Sequence, residues 1–225
     1  MDMDEQTSLN LTHMLRPALD RPADGALVPG LLLLHGRGAD EADLMGLEGA
    51  LDPRLTIVSA RAPFRLGPGF AWYGMSEVGK PDFDTLRASV RELDAFIDGL
   101  PEAYGIDPAR LYLMGFSQGA VMSAAMALLK PEAVRGALLH SGYVPANAGL
   151  GFSHEAAQGK PFYLAHGKYD DVIPVTFGRD SHEYLEAAEA GVVYREYPIG
   201  HTISEESLYD LAEWLSARID TDASD

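Results

Sequence analysis

Apolar residues along this chain follow two alternating rhythms. Short, nearly continuous apolar runs occur near Leu31–Leu34, Leu55–Val58, Leu111–Met114, Val134–Leu139, Phe162–Ala165 and Val192–Tyr197. Runs of that length, bounded by turn residues, predict buried strands. Between them the spacing changes to three and four. Phe83, Leu86, Val90, Leu93, Ile97, Leu100 and Tyr104 line up as one stripe, which predicts an amphipathic helix with Asp82 to cap its start and Gly105 to end it. Leu208, Leu211, Leu215 and Ile219 form a second stripe. A further helix is expected to begin at Pro174, suited to a first helical turn, and to stop at Gly191. Ala120 to Leu129 is a run of helix formers. Strands alternating with helices predict an α/β fold, a mostly parallel central sheet with helices on both faces. Ser8 to Pro17 is expected to add an antiparallel edge strand within an N-terminal extension of residues 1–20, and residues 220–225 a flexible tail.

Composition narrows the setting. The chain has 225 residues, 47% of them hydrophobic, enough to bury a full core. No linker, low-complexity block or internal repeat divides it, so residues 1–225 are expected to form one domain. The strongly apolar run Leu31–Leu34 is far too short to span a bilayer. Met1-Asp2-Met3-Asp4-Glu5 is acidic where a signal peptide is basic, so a cytoplasmic location is expected. With no cysteine there is no disulfide, thiolate nucleophile or cysteine metal site. A net charge of −17 disfavours nucleic acid and stable association with anionic membranes. A homodimer stays open.

Candidate chemistry gathers where the predicted strands end. His35-Gly36, Ser117, His140-Ser141-Gly142, His166-Gly167 and Gly200-His201 all follow such strands. Open α/β sheets bind ligands outside the carboxyl ends of their strands. Gly115-Phe116-Ser117-Gln118-Gly119 lies between a strand and a helix, and this G-x-S-x-G resembles the nucleophile elbow of an α/β-hydrolase. The turn is tight enough to demand small neighbours. It lifts the serine hydroxyl over a helix N-terminus, where developing negative charge is favoured.

A serine needs a base, and the base needs an acid to orient it. Of seven histidines, His201 alone stands in a loop after the last strand and completes the chain order serine, acid, histidine. His35 and His166 sit in strand-end turns, His182 in a helical run, and His13 and His154 precede the acid. The acid is expected after the next-to-last strand, where Asp170 and Asp171 stand side by side. Spacing does not choose between them.

Leu34-His35-Gly36-Arg37-Gly38-Ala39-Asp40, Gly115 to Gly119, the His166 to Pro174 segment and Gly200-His201 together resemble the bacterial phospholipase/carboxylesterase family of small α/β-hydrolases, which includes acyl-protein thioesterases and lysophospholipases. The likeness runs from about residue 30 to 215. It implies an α/β-hydrolase fold without a large cap domain, and a catalytic set of Ser117, Asp170 and His201. In the family the acid lies four residues before the proline, which selects Asp170. Two backbone N–H groups must face the oxyanion. Gln118, the residue after the nucleophile, supplies one. By resemblance Arg37 supplies the other.

From Arg61 to Gly79 no helical period is visible, and a long ordered loop is expected. Its Phe70, Trp72, Tyr73 and Met75 are candidates to line an acyl pocket, with Trp72 nearest the nucleophile by analogy with the family. The family's aspartate soon after that tryptophan is absent here, where Trp72-Tyr73-Gly74 stands. Neither a phosphate-binding loop nor metal-ligand spacing occurs, so no cofactor or metal is expected. These features point to a serine carboxylesterase acting on small esters of short to medium chain. Acyl-thioester or lysophospholipid cleavage is the second reading, and a non-catalytic binding module on the same scaffold the third.

Overall fold

The computed structural model describes residues 9–22 and 25–222. In chain order the first strands are β1 (His13–Arg16), β2 (Val28–Leu34) and β3 (Thr56–Ala60). Two small hairpins follow, β4 (Phe64–Leu66) with β5 (Gly69–Ala71), and β6 (Met75–Glu77) with β7 (Lys80–Pro81). Then come β8 (Ile106–Phe116), β9 (Gly136–His140), β10 (Pro161–Gly167) and β11 (Gly191–Tyr197). The helices are α1 (Ala42–Met45), α2 (Phe83–Tyr104), α3 (Gln118–Leu129), α4 (Val175–Ala187) and α5 (Glu205–Asp222).

Seven strands form the central sheet in the order β1-β3-β2-β8-β9-β10-β11. All neighbours run parallel except β1, which pairs antiparallel with β3 from His13↔Ala60 to Arg16↔Ile57. The parallel strands are apolar on both faces because alternate residues feed separate cores. Leu32, Leu34, Leu113, Leu139 and Leu164 join the core under α2, α3 and α4. Leu31, Leu33, Met114, Leu138 and Tyr163 join the other, covered by α1 and α5. The parallel registers set Leu34 beside Gly115 and Phe116 beside His140, which aligns the carboxyl ends of β2, β8 and β9 on one edge.

Local chemistry explains the helix boundaries. The Asp82 carboxylate accepts the Thr85 N–H at the start of α2, and Gly105, in the left-handed region at φ 66°, ends it. Helix α3 is buried along Gln118–Leu128, wedged between the sheet and α2, so it carries apolar residues all round instead of a stripe.

Three features depart from the sequence-based expectations. Helix α4 ends at Ala187, not at Gly191, which instead opens β11. The left-handed cap is Glu189, at φ 57°, and the N–H groups of Glu189 and Ala190 bond back to Glu186 and Leu185. That is the double bond of a Schellman cap, built on a residue that gives no sequence signal for one. The segment from Arg61 to Gly79 is no plain loop but carries the first hairpin and the first strand of the second, whose partner strand is Lys80–Pro81. Residues 220–222, expected in a flexible tail, belong to α5; residues 223–225 lie outside the described residues, as does Ser8 of the expected edge segment. Among the described residues no helix is long and apolar enough to cross a membrane.

The Asp222 side chain is nearly buried and accepts from the Tyr112 hydroxyl and, at 2.9 and 3.1 Å, from the Arg135 guanidinium. It thereby ties α5 to the central strand. Replacing Asp222 with alanine leaves Tyr112 and Arg135 without this partner and should destabilise the fold by about 1–3 kcal/mol. At about 2–4 °C per kcal/mol for a domain of this size, a thermal melt should show the loss; an unchanged midpoint would make the clamp decorative.

Candidate active site

The edge of the sheet where β2, β8 and β9 end is built by one sharp turn. Ser117 leaves β8 at φ 55° and ψ −119°, a region L-residues rarely occupy, and opens α3. Its N–H donates to the His140 carbonyl at 3.0 Å, and its own carbonyl accepts from Ala120 and Val121. Glycine is obligatory around it. A Cβ on Gly119 would stand 1.8 Å from the Leu34 carbonyl oxygen, and one on Gly115 2.2 Å from the Gly119 backbone. The turn thus presses the first turn of α3 onto the end of β2.

That contact brings the two candidate oxyanion donors to one place. Gln118 is the first residue of α3, so its N–H has no acceptor within the helix. Gly36 and Arg37 share the wall of the same cavity as Ser117 and Gln118, with the Arg37 side chain exposed. A cavity of about 490 Å³ opens here, lined by Gly36, Arg37, Tyr73, Met75, Ser117, Tyr143, Ile173 and His201 among others.

Asp170 and His201 meet beside it. The His201 Nδ1 donates to Asp170 Oδ2 at 2.7 Å. The other carboxylate oxygen, Oδ1, accepts the N–H groups of Val172 at 3.0 Å and Ile173 at 2.8 Å. The Asp170 side chain is fully buried, whereas Asp171 is exposed. The His201 ring lies against Phe116, with ring centroids 4.8 Å apart. An imidazole held this way keeps its Nε2 available as a base, while the carboxylate fixes its tautomer.

The four aromatic and methionine candidates divide. Tyr73 and Met75 line the cavity. Trp72 does not: it is fully buried, its indole N–H donating to the His35 carbonyl at 2.9 Å and its backbone N–H to Gln118 Oε1 at 3.0 Å. The Gln118 side-chain amide in turn donates to the Tyr73 carbonyl at 2.8 Å. Trp72 is thus a strut between the two candidate oxyanion segments. Phe70 also stays off the cavity, its ring centroid 4.7 Å from the Arg61 guanidinium and 5.9 Å from that of Arg65. Its backbone exchanges hydrogen bonds with Gly38 and Ala39, so the first hairpin braces the Arg37 loop.

Periodicity and motif missed Tyr143, Val78, Val172 and Ile173, which complete the apolar lining. Ile173 carries a weak signal, three residues after the candidate acid Asp170. Tyr143 stands three residues after the end of β9, in a segment marked only by His140-Ser141-Gly142. Among the described residues no group of three or more His, Asp or Glu is arranged to hold a metal ion.

The sheet order and this elbow define the α/β-hydrolase fold. The chain belongs to the Phospholipase/Carboxylesterase family, which it matches over residues 23–219. It is similar to a probable carboxylesterase SOBER1-like protein of Arabidopsis thaliana, 32% identical over 68% of this chain and 61% of that protein. It is similar to acyl-protein thioesterase 1 of Yarrowia lipolytica, 29% identical over 90% of this chain and 97% of that one. The Bacillus cereus carboxylesterase structure superposes with a TM-score of 0.83 at 25% identity, covering 94% of this chain and 96% of that chain.

Three buried histidines ring the site in their neutral form. Burial lowers the pKa of His35, His140 and His166, with His140 falling to about 3 through burial and its histidine neighbours His166 and His201. His35 Nε2 accepts the Ala62 N–H at 3.0 Å, which a protonated ring could not do. Unfolded, each would titrate near 6.5. The unfolded chain therefore binds protons that the folded one refuses, and stability falls as pH drops below about 6.5. The depressed carboxylates of Glu41 and Asp52 contribute only at lower pH, so the loss between pH 6.5 and about 5 reads the histidines. Urea unfolding at pH 8, 6 and 5 should show stability already lower at pH 6 and falling more steeply from pH 6 to pH 5, by up to about 1.4 kcal/mol per pH unit per histidine. Constant stability down to pH 5 would contradict this account.

Proposed function

We propose that this protein is a serine carboxylesterase that hydrolyses small esters of short to medium acyl chain through an acyl-enzyme. The observation that carries the reading is the Asp170–His201 hydrogen bond beside the cavity that Ser117 also lines. Ser117 Oγ attacks the ester carbonyl as His201 Nε2 takes its proton. The backbone N–H groups of Gln118 and Arg37 stabilise the oxyanion. His201 then protonates the leaving alcohol, and water, deprotonated by the same ring, releases the acid. Asp170 orients the ring and stabilises its protonated form.

A fluorophosphonate probe should label Ser117. The Ser117→Ala protein should fold and lose ester turnover by several powers of ten. Asp170→Asn should cost on the order of 10³ to 10⁴ in kcat, and Asp171→Asn little, since only the former leaves His201 wrongly held. Labelling elsewhere, such as at Ser141, with Ser117→Ala still active, would sink the assignment.

Acyl size follows from the walls. Tyr73, Met75, Val78, Tyr143 and Ile173 offer an apolar face, and among the described residues no inserted cap domain extends it. Each methylene that fits should add up to about 0.8 kcal/mol of binding. Across p-nitrophenyl acetate to palmitate, kcat/KM should climb and then break at about four to eight carbons. A profile still rising at sixteen carbons would refute a preference for short chains. Thioester cleavage is a second reading, favoured by the likeness to the Yarrowia lipolytica thioesterase over most of both chains. Rates on acyl-thioesters of equal chain length separate the two.

A further inference from the structure

A second hollow, of about 470 Å³, lies behind the apolar wall of the candidate active-site cavity. It is framed by Gly79, Pro81, the segment Val144 to Ala148, and Phe177, Asp180, Ser181 and Tyr184 of α4. One residue, Tyr143, lines both spaces. The chain neighbours Val78 and Gly79 lie on opposite sides, the first facing the active-site cavity and the second the hollow. What divides the two spaces is therefore a thin partition centred on the Tyr143 ring.

The partition is fixed rather than loose. The Tyr143 hydroxyl interacts with the Tyr73 hydroxyl and with the Gly79 backbone. The Tyr143 ring packs against Phe177, with centroids 5.1 Å apart. Phe177 in turn leaves so little room at Gly79 that a Cβ there would come within 3.1 Å of its ring. The following residue, Val144, donates its N–H to Ser181 Oγ at 2.9 Å, and that hydroxyl donates to the Phe177 carbonyl at 2.6 Å. Tyr143 is thus held from the second hairpin, from α4 and from its own strand end.

We infer that Tyr143 sets the upper limit of acyl-chain length, and that the hollow behind it is a latent acyl subsite which the wild-type ring closes off. The inference rests on the proposed esterase reading and names the residue that ends its pocket. An acyl chain growing past Tyr73 and Met75 meets the ring face. Removing the ring joins the two spaces and admits further methylenes, each worth up to about fourfold in kcat/KM. Val144, Pro145, Ala146, Ala148 and Phe177 give the hollow apolar surface for such a chain.

The test compares p-nitrophenyl esters from butyrate to palmitate on wild type, Tyr143→Ala, Tyr143→Phe and Phe177→Ala. Rates are expressed per fluorophosphonate-labelled site, so that misfolded protein drops out. Tyr143→Ala should move the break to twelve carbons or beyond and raise the laurate-to-butyrate ratio of kcat/KM at least tenfold. Tyr143→Phe, which keeps the ring, should leave the break where it is. Adding Ala146→Trp to Tyr143→Ala refills the hollow and should return the break towards eight carbons. Phe177→Ala weakens the partition from the helix side and should shift the break in the same direction, which also covers a Tyr143→Ala protein that does not fold. A labelled Tyr143→Ala enzyme whose break is unmoved, or whose rates fall equally at every length, overturns the inference. A wild type that is neither labelled nor active on any ester overturns the esterase reading instead.

Discussion

Everything at the sheet edge depends on one close approach, that of Gly119 to the carbonyl of Leu34. With a Cβ position only 1.8 Å from that oxygen, no other residue fits there without moving α3 off β2. Moving the helix would part the Gln118 amide from the Arg37 loop and tilt Ser117 out of its strained turn. Two N–H groups aimed at one point require backbone segments from distant parts of the chain to touch. Here the missing side chain of a glycine permits that contact. The neighbouring glycines at 115 and 142 serve the same turn, since side chains there would meet the backbone of Gly119 and the carbonyl of Ser117.

Holding the two segments in register falls to a small buried polar network. Trp72 bonds to the carbonyl of His35 and to the side chain of Gln118, and its own carbonyl accepts from Ser89 of α2. Gln118 closes the loop by bonding to Tyr73. Buried polar groups of this kind are costly unless each finds a partner, and here each does, which makes the arrangement specific as well as stable. Neutral His35 belongs to the same device: its Nδ1–H donates to the Gly36 carbonyl at 2.7 Å while Nε2 accepts from Ala62. The candidate oxyanion loop is thereby fastened to the start of the segment that carries both hairpins.

Much of this was legible in the chain, and the reasons differ by feature. Strand runs and the α2 stripe report burial directly, so their elements are found where the periodicity puts them, down to the Asp82 cap and the Gly105 stop. The α4 terminus was hidden because its left-handed cap is a glutamate, and the rule that finds such caps looks for glycine. The hairpins between residues 64 and 81 were hidden because strands of two or three residues have no period to read. At the candidate site, Gly115-Phe116-Ser117-Gln118-Gly119 speaks for itself, since sterics leave so few alternatives. Asp170 and Asp171 are indistinguishable by spacing alone; the family resemblance favours Asp170, and the three-dimensional contacts show its carboxylate buried and that of Asp171 exposed. Trp72 shows the opposite limit: its composition suits a pocket wall, but its indole N–H finds a partner beneath the wall. Tyr143 carried no signal at all, because a pocket boundary is a property of neighbours brought from three separate elements.

The division of the core between two sheet faces also has a temporal side. The face under α2, α3 and α4 is covered by helices that alternate with the strands in sequence, so it can close as the chain is made. The opposite face, with Tyr112, Met114, Leu138 and Tyr163, is covered in part by Leu44 and Met45 of α1 and completed by Leu211, Leu215 and Ile219 of α5, which follows every strand of the sheet in chain order. A nascent chain that has finished the elbow, the acid and most of the sheet therefore still presents an uncovered apolar sheet surface to its surroundings. Until α5 docks, that exposed apolar surface is the part of the sheet most open to association with other unfinished chains.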